Sequence, residues 1–185
     1  RWHPDPAAWL PILAFPAIVT NIMFGQNGLL TAALALMALY HLDRRPLLSG
    51  FWIGLLAIKP HLGLLFPLAL LLGRHWRVFA SAALTTLVFS LLTLLLFGVD
   101  TWKAFLGSTA AARHALETGI AVWNVMITPF SNVRLLGGDI MLAYGLQAAF
   151  ALLYLTVLIG VWRGCTDIWL RGSILALATL NFSPY

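Results

Sequence analysis

Charge is scarce in this chain, and acidic charge scarcest of all. Lys and Arg together number 11 and Asp and Glu only 6 in 185 residues, so charged side chains are 9% of the sequence, where soluble domains carry about 25%. So few ions argue against a surface that faces water on every side. Cysteine is reduced to one, Cys165, which excludes an internal disulfide and any multi-cysteine metal site. A glycine-rich phosphate loop, a dinucleotide fingerprint and a nucleophilic triad are all missing, so a nucleotide-linked substrate is disfavoured. His, Asp and Glu do not cluster at metal-ligand spacing. His114 and Glu117 are three apart on an expected helix, but two ligands do not make a metal site. They read as a solvated pair on an external amphipathic helix.

What is abundant is apolar. Hydrophobic residues are 61% of the chain, against about 45–50% in soluble domains. Residues 78–97 and 140–162 contain no charge, and each is long enough to cross a hydrocarbon core of about 30 Å at about 1.5 Å per residue. Surface helices of a soluble protein would show a polar face instead. The expected architecture is all-α, a polytopic transmembrane helix bundle forming one transmembrane domain over residues 1–185. Its helices are expected at about 7–24, 28–42, 47–58, 62–73, 78–97, 140–162 and 168–185, with a mixed external loop at 98–139. Within that loop Trp102, Phe105 and Trp123 suit a membrane interface, while Ser131-Asn132 and Arg134 read as a helix cap and a boundary charge. The net charge of +5 fits basic loops on one side of a membrane better than a nucleic-acid surface. Because the sequence opens on Arg1 and stops at Tyr185 as a last apolar helix forms, it is expected to be an internal piece of a longer protein.

One apolar stretch is interrupted. Between Leu47 and Gly73 the only break is Lys59-Pro60-His61. A charge at the centre of a membrane helix costs about 2.5–3.5 kcal/mol on insertion scales, and proline at the next position removes a backbone donor. Together they predict a backbone opened within the membrane around a polar site. The flanking charges favour a broken, re-entrant hairpin at Lys59-Pro60. If 47–73 crosses once, basic residues divide six against four between the two sides; if it turns back, they divide seven against three, the stronger positive-inside bias. Each half of about twelve residues rises only about 18 Å. The tip then sits in the outer half of the membrane, where open backbone is tolerated if it lines a protein-walled cavity. Gln26, Asn27, the 98–139 loop and the terminal Ser183-Pro184-Tyr185 fall on the same side.

Phe24-Gly25-Gln26-Asn27-Gly28 at a helix start, followed by Gly54-Leu55-Leu56-Ala57-Ile58-Lys59-Pro60-His61, resembles the integral-membrane glycosyltransferases of family 87. Ser183-Pro184-Tyr185 looks like that family's serine-proline-tyrosine segment. The resemblance spans nearly the whole chain and implies a C-type glycosyltransferase fold. It implies a polyprenyl-phosphate sugar donor, with mannose the best-known case, a glycolipid or polysaccharide acceptor, and membrane lipids rather than nucleic acid as partners. It also implies an integral, multi-pass protein of a bacterial inner membrane with an outward-facing site. The family's catalytic aspartate lies upstream of the glycine-glutamine motif. Asp5 falls on the wrong side of the first helix for that role, so the general base is expected outside this chain and the fragment alone is expected to be inactive.

Transfer from such a donor needs a base for the acceptor hydroxyl and cationic or hydrogen-bonding groups for the departing phosphate. Lys59 suits the second task, with His61, Gln26 and Asn27 as donor phosphate and sugar ligands. Read as structure alone, Lys59 snorkels or pairs with a carboxylate, His61 is a satisfied histidine and Asn27 is a helix cap. Arg113, His114, Trp123 and Asn124 are candidates for covering the donor or guiding the acceptor, and Tyr185 enters by resemblance only. No cofactor is called for, and assistance by a divalent ion is left open. A secondary transporter, which also builds substrate sites from broken helices, is the competing class.

Overall fold

The computed structural model describes residues 14–120 and 123–184. Residues 7–13 of the first expected helix, together with Arg1, Asp5 and Tyr185, lie outside it. Among the described residues there are helices and no strands: α1 Pro16–Met23, α2 Gly28–His41, α3 Pro46–Leu55, α4 Pro60–Gly63, α5 Phe66–Leu72, α6 Trp76–Thr118, α7 Pro129–Leu135, α8 Ile140–Gly164 and α9 Ile168–Phe182. Single 3-10 turns occupy Leu56–Ile58 and Trp123–Val125.

The ends of these helices follow from local chemistry. Pro16, Pro46, Pro60 and Pro67 sit in first turns, where a missing N–H costs nothing. Asp139 accepts from Leu142 N at 2.8 Å, and Asp167 from Trp169 N and Leu170 N at 2.7 and 3.1 Å, so carboxylates cap α8 and α9. The segment 62–73, expected as one helix, is divided because Pro67 cannot donate and opens α5. Gly98, with φ 77° and ψ 170°, breaks α6 into runs 76–97 and 99–118. Much of the expected external loop is therefore ordered helix.

Two ends of the bundle can be told apart. At one, His75 Nδ1 is 3.8 Å from Asp43 Oδ1, and the Arg171 guanidinium lies 5.4 Å over the Trp162 ring. The loops on both sides of the Lys59 hairpin thus lie together, so the chain enters and leaves this hairpin at the same end. Six arginines (44, 45, 74, 77, 163 and 171) belong to this basic end. Lys59 and the loop at Gln26 mark the opposite end.

α3 and α6 run parallel and unusually close. A methyl on Gly50 would stand 2.5 Å from Val78 O, and one on Gly54 would overlap Thr85 Cβ. Ser81 Oγ donates to Leu47 O at 2.7 Å. Small residues four apart permit such backbone approach within a membrane. α2 returns antiparallel to α3, joined by Ser49 Oγ donating to Ala38 O at 2.7 Å. α8 and α9 form a second antiparallel pair, and α9 lies on α2 where Gly172 meets Leu39.

The core holds Leu34, Leu56, Phe66, Leu70, Leu158, Trp162 and Leu175, yet the outside is as apolar as the inside. Only 6% of the most apolar stretch of α6, and 17% of that of α8, is buried. Leu84, Leu91, Leu95 and Phe97 point outward. Two exposed helices of this length and apolarity have lipid as their solvent. The chain is an all-α membrane helix bundle.

Candidate functional site

Gln26 reaches its place through the end of α1. Gly25 has φ 59°, a left-handed conformation open to glycine at little cost. Its N–H bonds Ile22 O at 3.1 Å and that of Gln26 bonds Asn21 O at 2.8 Å, the paired closing bonds of a helix terminus. Lys59 is placed by the break in the hairpin. It sits at φ −130° and ψ 81°, in the extended region imposed on a residue before proline. Because Pro60 has no N–H, Leu56 O instead accepts from Lys59 N at 2.8 Å.

These two turns meet. Lys59 Nζ donates to Gln26 Oε1 at 3.3 Å, across 33 residues of sequence. Lys59 is half-buried and His61 exposed, and both line a cavity of about 400 Å³. Ala32 and Ala35 of α2, Phe66 of α5, and Leu175 and Ala176 of α9 supply its apolar wall. Among the described residues no carboxylate lines this cavity, and the ammonium has a long bond to a neutral amide as its one hydrogen bond there.

Two unpaired polar atoms lie here. Asn27 makes no cap to α2, and its Oδ1 is buried without a partner among the described residues. The hydroxyl of Thr179, which lines the cavity, is likewise buried and unpartnered. Buried polar groups are ordinarily hydrogen-bonded, and orphans beside a cation mark a place where a polar ligand is accommodated. The sequence reading missed Thr31 and Thr179, which lie on helices and carry no local signal beyond being polar within apolar runs.

The remaining candidates stand elsewhere. Arg113, His114, Trp123 and Asn124 do not line the Lys59 cavity. Glu117 is paired with Arg113, whose Nε donates at 2.7 Å, and with the Tyr144 hydroxyl, which donates at 2.9 Å. The expected solvated His114–Glu117 pair is therefore replaced by a half-buried carboxylate held by Arg113, one turn earlier on the same helix face. The Trp123 indole donates to Leu116 O at 2.7 Å, and Arg134 lies 4.8 Å over its ring, so this tryptophan is folded inward. Arg134 also donates to Gly138 O and Glu117 O, which makes it a cross-link more than a boundary charge. The cap of α7 is Thr128, which accepts from Ser131 N at 3.3 Å, and not Ser131-Asn132; proline at the next position is the signal that would have found it.

This folded loop is tied to the end of α9. Gln147 Nε2 donates to Asn181 O at 2.7 Å while its Oε1 accepts from Phe130 N at 3.2 Å. Trp102 and Phe105 wall a hollow of about 250 Å³ against Ala57 and Ile58, just before Lys59.

Lys59 and Gln26 thus meet beside an apolar cavity that Lys59 and His61 line. The sequence model of glycosyltransferase family 87 matches residues 1–184. The chain belongs to glycosyltransferase family 87. No curated protein and no solved structure gives a match. As a family 87 member it is a membrane glycosyltransferase, with a sugar donor and an acceptor as substrates. Its Gln26 and Lys59 segments are the ones that fold together.

Proposed function

We propose that this chain supplies the donor site of an enzyme that moves a sugar, mannose, from a polyprenyl-phosphate carrier to a glycolipid or polysaccharide acceptor. Lys59 binds the donor phosphate, with Gln26, Asn27 and His61 completing the hydrogen-bonding shell. The observation that carries the reading is the Lys59–Gln26 contact beside an apolar cavity that Lys59 lines and that no carboxylate lines among the described residues. The cavity offers apolar wall to a lipid carrier and a positive charge to its phosphate.

In the reaction the bond between the anomeric carbon and the phosphate oxygen breaks, and the electron pair leaves with the polyprenyl phosphate. The acceptor oxygen takes its place on the anomeric carbon, and its proton passes to a general base. An ammonium in a low-dielectric recess stabilises the charge growing on the departing phosphate, and removing one such donor costs about 10²–10³ in rate. Loops rich in arginine mark the cytoplasmic side of membrane proteins. Six arginines at the end remote from Lys59 therefore support an outward-facing site, and the bacterial inner membrane is carried over from the family resemblance alone.

The test is to give the purified full-length protein radiolabelled polyprenyl-phosphate mannose and a membrane lipid extract. A new labelled glycolipid, lost in Lys59→Ala, is the expected result. Label that crosses sealed vesicles unchanged would replace this reading with transport.

A further inference from the structure

The basic end carries a second arrangement that the transfer reaction does not use. Positive loops orient a membrane protein wherever they point, but three arginines here converge on one place. Arg45 and Arg77 line one hollow of about 580 Å³, and Arg74 and Arg77 line an adjoining one of about 380 Å³. Pro46 belongs to both. The other arginines nearby are already engaged: Arg44 with Tyr40, and Arg171 with Trp162. Arg45, Arg74 and Arg77 have neither a hydrogen bond nor an ion pair through their side chains among the described residues, and the one carboxylate lining either hollow, Asp43, faces His75.

Arg74 adds a separate observation. It closes α5 at φ 57°, with its N–H on Leu71 O and that of His75 on Leu70 O at 3.1 and 2.9 Å. Glycine is the stable choice at such a position. A guanidinium stands there at a cost to the fold. Beside the arginines, Leu47 and Trp76 are 68% and 60% exposed, at the level where the apolar faces of α3 and α6 begin. The patch thus has the profile of a lipid at its headgroup: three cations above, apolar and aromatic surface below.

We propose that Arg45, Arg74 and Arg77 bind the phosphate of an anionic phospholipid of the same membrane, with Leu47 and Trp76 against its acyl chains. This inference is independent of the donor site. Each basic group near an anionic membrane surface contributes about fivefold in affinity.

The experiment measures binding of phosphatidylglycerol to the full-length protein by native mass spectrometry, with phosphatidylcholine of the same chains as reference. Phosphatidylglycerol is expected to bind saturably and phosphatidylcholine not. Arg45→Gln/Arg77→Gln should weaken it about 25-fold, and Arg163→Gln should leave it unchanged. Arg74→Gly separates binding from folding: it should weaken the lipid about fivefold while the protein melts no lower than wild type. Equal binding of both lipids, or of phosphatidylglycerol to the double variant, overturns the proposal. Displacement by millimolar glycerol phosphate would also overturn it, since the site would then take a soluble anion and not a lipid.

Discussion

Two polar clusters lie toward the same end of this bundle and are finished differently. In the loop between α6 and α8, Glu117 is held by Arg113 and Tyr144, Gln147 uses both ends of its amide, and both Nη atoms of Arg134 donate, although its Nε is buried without a partner among the described residues. Around Lys59, among the described residues, the ammonium has one long bond to a neutral oxygen, and Asn27 Oδ1 and the Thr179 hydroxyl have no partner. Saturated networks rigidify a fold. Unsaturated ones are tolerated where something else completes them. The loop cluster is the more densely bonded of the two, as scaffold is, and the Lys59 cluster is the candidate site.

The largest effect that would break this comparison concerns turnover. Lys59→Ala in the full-length enzyme should lower sugar transfer about 100-fold or more without lowering the melting temperature, and Lys59→Arg should restore part of the loss. Next comes packing at the scaffold. Gly50→Leu places a side chain where Val78 O already stands 2.5 Å away and should destabilise the protein by about 3 kcal/mol, read from thermal unfolding in detergent. Gln147→Ala leaves Phe130 N and Asn181 O unpaired and should cost about 1–3 kcal/mol, with donor affinity preserved. Asn27→Ala inverts that outcome: no capping bond is lost, so melting stays within a degree or two while donor affinity falls.

The smallest effect is at the basic end. Burial lowers the His75 imidazole below its ordinary value; Asp43 raises it again, and Arg171 lowers it. The fold therefore prefers neutral His75. Its contribution is fully present above the unfolded value of about 6.5 and is lost as pH falls below that toward the lower folded value. Melting temperature should decline on acidification from pH 7 to 5, and His75→Gln should flatten that decline.

The hairpin and its meeting with Gln26 were legible because each left a mark in the sequence: a lysine-proline pair inside an apolar run, and a charge tally that improves when the segment turns back. The Gly50–Gly54 contact was written there as two small residues four apart and passed unread. The cross-linked loop was not legible. Its partners, Glu117 with Tyr144 and Gln147 with Asn181, are separated by 27 and 34 residues, and spacing cannot forecast such pairs. Arg74 in a glycine's conformation was equally hidden, since only the course of the backbone reveals it.

The account rests on Lys59 as the group that receives an anionic carrier. Its most direct test is equilibrium binding of unglycosylated polyprenyl phosphate to the full-length protein, wild type against Lys59→Ala, under conditions where both are folded. A loss of about tenfold or more is predicted for removal of a hydrogen-bonded charge; equal affinity in the two proteins would contradict it.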